Sequence, residues 1–99
     1  MKYNAVYLPV ASRDIIRINK ALSNYPRKAK RLFQEIEKKI KMLEIAPYMW
    51  PEYQIKPVYR RMVLEDHLLF YIVDENEQKI KVYRVLYCRM DIAKLLNEN

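Results

Sequence analysis

Glycine does not occur anywhere in the 99 residues of this chain. Phosphate-cradling loops, dinucleotide fingerprints and the nucleophile elbow each need a residue without Cβ at fixed positions, so most ATP, NAD and hydrolase chemistries are excluded with it. Cysteine and histidine occur once each, as Cys88 and His67. One thiol cannot staple the fold, and the two together are too few for the cluster of soft ligands that a zinc site takes. No metal and no cofactor is expected, and Cys88 reads as a small strand residue with an inert thiol. The longest uninterrupted apolar run, Leu68 to Val73, is far short of the roughly 18 residues of a membrane span. The N-terminal stretch MKYNAVYLPVAS is interrupted by Asn4 and Pro9, which fits a first strand better than a signal peptide. A cytoplasmic chain with no membrane partner is expected.

A content of 52% hydrophobic and 31% charged residues describes a globular chain, and the length suits one domain, 1–99, around a single core. The formal net charge of +7 points towards a polyanionic partner such as RNA, DNA, the ribosome or an acidic protein segment. Charge alone reports long-range attraction and not a specific site.

Residues 3–10 alternate loosely and predict a strand. Ser12 then suits a helix N-cap, followed by Ile15, Ile18, Leu22 and Tyr25 at helical spacing. Pro26 suits the first position of a second helix. That helix carries Ala29, Leu32, Phe33, Ile36, Ile40 and Leu43 on one face, with Glu35/Lys39 and Glu37/Lys41 paired at i,i+4 on the other, and must stop near Ala46 because Pro47 follows. A helical hairpin results. Residues 46–57, with three prolines and with Tyr48, Met49, Trp50 and Tyr53, form a long connection that is either a packed plug or a binding loop, and Trp50 reads as core. From Val58 the pattern turns to β: VYRRMVL, a tight turn at Glu65-Asp66, HLLFYIV, a polar DENEQ turn, and KIKVYRVLYC. Asp91 can cap a last short helix through Ile92, Leu95 and Leu96. The order is β-α-α-β-β-β-α, and segregated helices with a mostly antiparallel sheet mean an α+β fold.

The stretch KVYRVLYCRMD, Lys81 to Asp91, poses a question about faces. Strand alternation places Lys81, Tyr83, Val85, Tyr87 and Arg89 together, and Val82, Arg84, Leu86 and Cys88 opposite them. A half-solvated strand needs only polarity on its wet face, so a face made of Tyr and Arg asks for a chemical reason.

The element order, with YRRMV, LLFYIVDENE and RVLYCRMDIAKLL spaced as they are, resembles the RelE/ParE superfamily of bacterial toxins from type II toxin–antitoxin modules. The resemblance covers nearly the whole chain and is most specific from Tyr59 to Leu96. Many relatives carry His-Gly where this chain has Tyr87-Cys88, followed by an arginine like Arg89 and an aspartate like Asp91. The resemblance implies a curved sheet with the hairpin on one side, a cognate antitoxin as partner, and growth arrest once that antitoxin is lost. Two targets occur in the superfamily: messenger RNA in the ribosomal A site, and DNA gyrase.

Metal-free RNA cleavage must deprotonate the 2′-hydroxyl, steady the phosphorane charge and protonate the leaving oxygen. Arg61 and Arg89 suit the second task through their planar forks of donors. Tyr87 could act as acid or base if a cation two residues away on the same face lowered its pKa from about 10. Arg61, Tyr87 and Arg89 are therefore the expected catalytic residues. Arg60, Lys81, Tyr83 and Arg84 are the expected substrate contacts, although Arg60 and Arg84 sit between apolar residues and also read as structural ion-pair partners. His67, at a strand start beside the turn, reads as solvated or capping. Leu68 stands where several ribosome-dependent relatives have an arginine, and RMD at Arg89 to Asp91 is common among gyrase-directed members. The sequence reading favours a ribosome-dependent mRNA endoribonuclease, with ribosome and mRNA as partners. A DNA gyrase inhibitor is the alternative, and a non-toxic small nucleic-acid-binding module is a third reading.

Overall fold

The computed structural model describes residues 2–97. Strand β1 (Asn4–Tyr7) leads directly into helix α1 (Pro9–Ala21), and α2 (Pro26–Ile45) folds back against it. Three strands follow, β2 (Arg60–Leu64), β3 (His67–Asp74) and β4 (Lys79–Tyr87), then helix α3 (Ile92–Leu96). The first strand is shorter than expected, and Ser12 lies inside α1 instead of capping it. Pro9 explains both: its ring fixes φ at a helical value and its missing N–H is no loss at a helix start, so the helix begins there. Extended Leu8 takes the cap position, and the Ser12 N–H already bonds to the Leu8 carbonyl at 3.0 Å.

The sheet order is β1-β4-β3-β2, with β2, β3 and β4 an antiparallel meander and β1 parallel to β4. Without glycine, the two β turns place Glu65 (φ 42°) and Gln78 (φ 52°) in the left-handed region, where a Cβ costs roughly 1–2 kcal/mol per residue. The hairpin packs on one sheet face. Leu32, Ile36, Ile40 and Leu43 of α2 meet Met62, Leu64, Leu69, Tyr71, Ile80, Val82 and Val85, all buried. The i,i+4 pairs Glu35/Lys39 and Glu37/Lys41 form at 3.3 and 3.4 Å. On the opposite sheet face, Tyr53, Tyr59, Phe70, Leu86 and Leu96 form a second cluster, roofed by α3 and the 46–59 connection.

That connection is a plug. Tyr71 Oη donates to the Pro47 carbonyl at 2.8 Å, Arg60 Nη1 to the Trp50 carbonyl at 2.7 Å, and the Arg61 N–H to the Pro51 carbonyl at 3.1 Å. Trp50 packs against the helix-side cluster with Lys39 Nζ 5.3 Å from its ring centroid. Asp91 caps α3 as expected, its Oδ1 accepting from the Lys94 N–H at 3.3 Å.

A bulge decides how β4 presents its side chains. Phe70 of β3 faces Arg84, but the next residue, Tyr71, faces Val82, so Tyr83 is an extra residue in the ladder and the alternation slips by one. Ile80 and Val82 point at the helices before the bulge, and Val85 does so after it. The expected single face of Lys81, Tyr83, Val85, Tyr87 and Arg89 does not exist.

Candidate functional site

Each expected site residue has a defined place, and the bulge scatters them. Arg61 pairs with Phe70 across β2 and β3, on the face away from the hairpin, with its guanidinium 5.5 Å from the Tyr53 ring centroid. Tyr83 is on that face too, half-buried against the second cluster, its ring 4.7 Å from that of Tyr59. Tyr87 is on the other face, with Val85. Its ring lies 5.5 Å from that of His67, at the rim of a cavity of about 350 Å³ between β4 and α1. Arg89 is exposed in the turn beyond the strand, where strand alternation no longer applies, and Cys88 is exposed in the same turn instead of lying within the strand. The pair Tyr87 and Arg89 is thus not set side by side on a strand, and Arg61 stands across the sheet from Tyr87.

Arg84 is corrected from a substrate contact to a core residue. It is 3% exposed and makes a two-pronged ion pair with Asp14 of α1, Nε to Oδ2 at 2.8 Å and Nη2 to Oδ1 at 3.0 Å. Its Nη1 donates to the Leu95 carbonyl at 2.8 Å, so one guanidinium ties β4 to both α1 and α3. Asp14 also accepts the Val85 N–H at 3.0 Å, closing the edge of β4 where β1 has already turned away. The sequence carries a signal for Asp14. It sits between Ala11 and Ile18 at spacings of three and four, within the buried row of α1. A lone carboxylate in one apolar row and a lone guanidinium in another are mutually explanatory.

Arg60 is likewise a structural residue, bound to the Trp50 carbonyl and stacked 4.8 Å from the Tyr48 ring centroid. Lys81 is engaged by Asp74 at 2.9 Å and Glu77 at 3.1 Å, which clamps the β3–β4 turn. The hydrogen bond from Lys81, with the Glu77 N–H, holds the Asp74 carboxyl down at about 2. Its folded pKa is below the unfolded value of about 3.9, so its contribution to stability is full above that value and fades as pH falls towards 2. An NMR titration of the Asp74 carboxyl is expected to show a midpoint near 2, moving up towards the ordinary carboxylate value in Lys81→Ala.

His67 is buried, not solvated: its Nδ1 lies 2.8 Å from Asp66 Oδ1, and Lys28 of α2 reaches Asp66 Oδ2 at 3.1 Å. Burial pushes the Asp66 carboxyl up, and the hydrogen bonds from Lys28 and His67 outweigh it, so its pKa lies below the ordinary value. This Lys28-Asp66-His67 chain fastens the start of α2 to the β2–β3 turn. Several tyrosines shift the opposite way from what proton transfer needs. Burial, with Tyr83 beside it, pushes Tyr59 up, burial pushes Tyr71 up to about 12, and the Glu75 carboxylate raises Tyr3 and Tyr48. Among the described residues no group of three or more His, Cys, Asp or Glu is placed to hold a metal ion, and no helix is long and apolar enough to cross a membrane.

Residues 5–92 match the model of a family described as the ParE toxin of the type II toxin–antitoxin system parDE. Two solved structures share the fold. One is the toxin–antitoxin complex RelBE2 of Mycobacterium tuberculosis, with TM-score 0.65 and 17% identity over 88% of this chain and 99% of that one. The other is the chromosomal ParDE system of P. aeruginosa, with TM-score 0.70 and 20% identity over 87% of this chain and 96% of that one. A search of the curated proteins finds no match. With the family model spanning most of the chain and both neighbours sharing its α+β architecture, the chain belongs to the ParE toxin family, within the RelE/ParE superfamily of type II toxin–antitoxin systems.

Proposed function

We propose that the chain arrests growth by binding and inhibiting DNA gyrase, and that it does not cleave messenger RNA. The observation that carries this reading is the bulge at Tyr83. Metal-free RNA cleavage needs a proton-transfer group and phosphate-binding cations within hydrogen-bond reach of one scissile bond. Here Tyr87 faces the helices while Arg61 faces away from them, and Arg84, Arg60 and Lys81 are occupied by Asp14, the Trp50 carbonyl and the acidic turn. An inhibitor that occupies a surface needs no such convergence. The RMD run at Arg89 to Asp91 and Leu68 in place of arginine agree with it.

The partner that neutralises the toxin is proposed to be a cognate antitoxin that lays an amphipathic helix in the groove between α1, α2 and β1. That groove has a volume of about 590 Å³, and Tyr7, Ile15, Ile16, Phe33, Ile36 and Ile40 line it, with Ile16 67% exposed. The test is induction of the chain in cells without antitoxin, followed by primer extension on abundant transcripts. Arrest with no new codon-spaced 5′ ends is expected. Cuts within reading frames that vanish in Arg61→Ala or Tyr87→Phe would overturn the proposal in favour of an mRNA endoribonuclease.

A further inference from the structure

The charge of this protein is not spread along it. Residues 1–34 hold eight of the nineteen Lys and Arg but only one of the twelve Asp and Glu, so the remaining eleven of each sign cancel and the whole formal +7 belongs to the first third of the chain. That one acid is Asp14, which is 1% exposed and already neutralised by Arg84. The hairpin is where the excess emerges. Lys20 lies just before its turn and Arg27 just after it, with Arg17 and Lys30 about one helical turn further out on either side, and all four are exposed. Arg17 and Lys28 line the same cavity mouth; Lys28 is paired there with Asp66 at 3.1 Å and Arg31 with Glu65 at 3.3 Å, so the β2–β3 turn takes up those two cations and leaves the four named ones as the excess at this end. Among the described residues no ion pair engages Lys20, Arg27 or Lys30, and Arg17 has only a 3.2 Å contact with the carboxylate that Arg84 has satisfied. The N-terminal dipole of α2 adds positive potential at the same end.

The remainder of the molecule shows that this is segregation and not general basicity. Most other cations meet carboxylates or rings, among them Lys39 with Glu35 and Trp50, Lys41 with Glu37, Lys81 with Asp74 and Arg61 with Tyr53, while Arg13, Lys38, Arg89 and Lys94 have no such contact among the described residues. Single strands are held on aromatic platforms. Among the described residues the hairpin itself has one exposed ring, Tyr25, at 62% exposure, with Tyr87 of β4 at the cavity mouth, whereas the aromatic-rich 46–59 segment has its cations already stacked. An array of cations with little stacking surface matches a duplex backbone, whose two strands present one negative charge per roughly 1.7 Å of axis.

We infer that the closed end of the α1–α2 hairpin is a duplex DNA backbone-binding surface, with Arg17, Lys20, Arg27 and Lys30 as the phosphate contacts. The inference goes beyond gyrase inhibition. The choice of DNA over another duplex rests on that reading, and the assay contains no gyrase, so the two can fail separately. Binding of the full chain to a fluorescent duplex of about 20 base pairs is measured by anisotropy from about 50 to 200 mM salt. Four contacts give a log–log slope of about −3.6 and roughly a 10²-fold loss of affinity across that range. Arg27→Ala with Lys30→Ala should cut the slope to about −1.8. Lys38→Ala, eight residues or about 12 Å further along α2, should leave it unchanged. Thermal melting of each variant shows that the fold persists. Absence of duplex binding at low salt, a slope unaltered in the double variant, or preference for duplex RNA or a poly-glutamate peptide over duplex DNA would each overturn the inference.

Discussion

Arg84→Ala is expected to destabilise the chain by about 3–5 kcal/mol, because it removes the two-pronged partner of the buried Asp14 carboxylate and leaves it, as its one cation, the exposed Arg17 at 3.2 Å. The loss falls on three elements at once: the guanidinium holds α1 through Asp14, α3 through the Leu95 carbonyl, and β4 from which it projects. For a chain with a typical stability of about 5–15 kcal/mol, that is a large fraction of the total. Replacing both partners, Asp14→Leu with Arg84→Met, should recover part of the loss, since a well-packed apolar pair avoids desolvating two charges. It should not recover all of it. The Val85 N–H depends on Asp14, and an unsatisfied buried donor costs about 1–3 kcal/mol. Urea denaturation of the wild type, Asp14→Leu, Arg84→Met and the double variant gives the four corners of the cycle. A double variant as unstable as the sum of its singles would show that the two groups do not act as a pair.

Phe70→Ala is expected to cost about 3–5 kcal/mol, the range for deleting a fully buried aromatic ring. Phe70 is 0% exposed and sits edge-on to Tyr53 at 5.1 Å between ring centroids. It is the part of β3 on which the 46–59 plug and α3 jointly rest. The damage should be directional. Amide exchange should quicken first in residues 50–59 and 92–96, while the α2 amides around Ile36 and Ile40, which belong to the helix-side core, should hold. Uniform loss of protection across both sheet faces would show that the second cluster is not a separate unit.

How much of the structure is legible in the sequence depends on how local each feature is. The α2 stripe, the turn at Glu65-Asp66 and the Asp91 cap each follow from residues within a few positions of one another, and each forms as read. The start of α1 differs from the reading because Ser12 offers a hydroxyl for capping, whereas the geometry of Pro9 takes precedence. The candidate site fails for a different reason. Alternation is a sound rule only while the ladder is unbroken, and no glycine or proline marks the bulge at Tyr83. One extra residue is enough to send Tyr87 to the helix side. The ion pair of Asp14 with Arg84, seventy residues apart, is visible in the sequence only as two separate oddities until the fold joins them. Burial of His67 comes with the approach of α2, whose Lys28 completes the chain through Asp66, and nothing adjacent in sequence foretells that contact.

That this toxin acts by occupying a protein surface is tested most directly by titrating the purified chain into DNA gyrase with relaxed plasmid and following ATP-dependent supercoiling. An A-site cleavage reaction on programmed ribosomes is run alongside. The expected result is dose-dependent loss of supercoiling by the wild type, retained in Tyr87→Phe, and intact message on the ribosomes. Full supercoiling at saturating toxin together with cleaved message, the cleavage falling roughly 10²-fold in Tyr87→Phe, would contradict it.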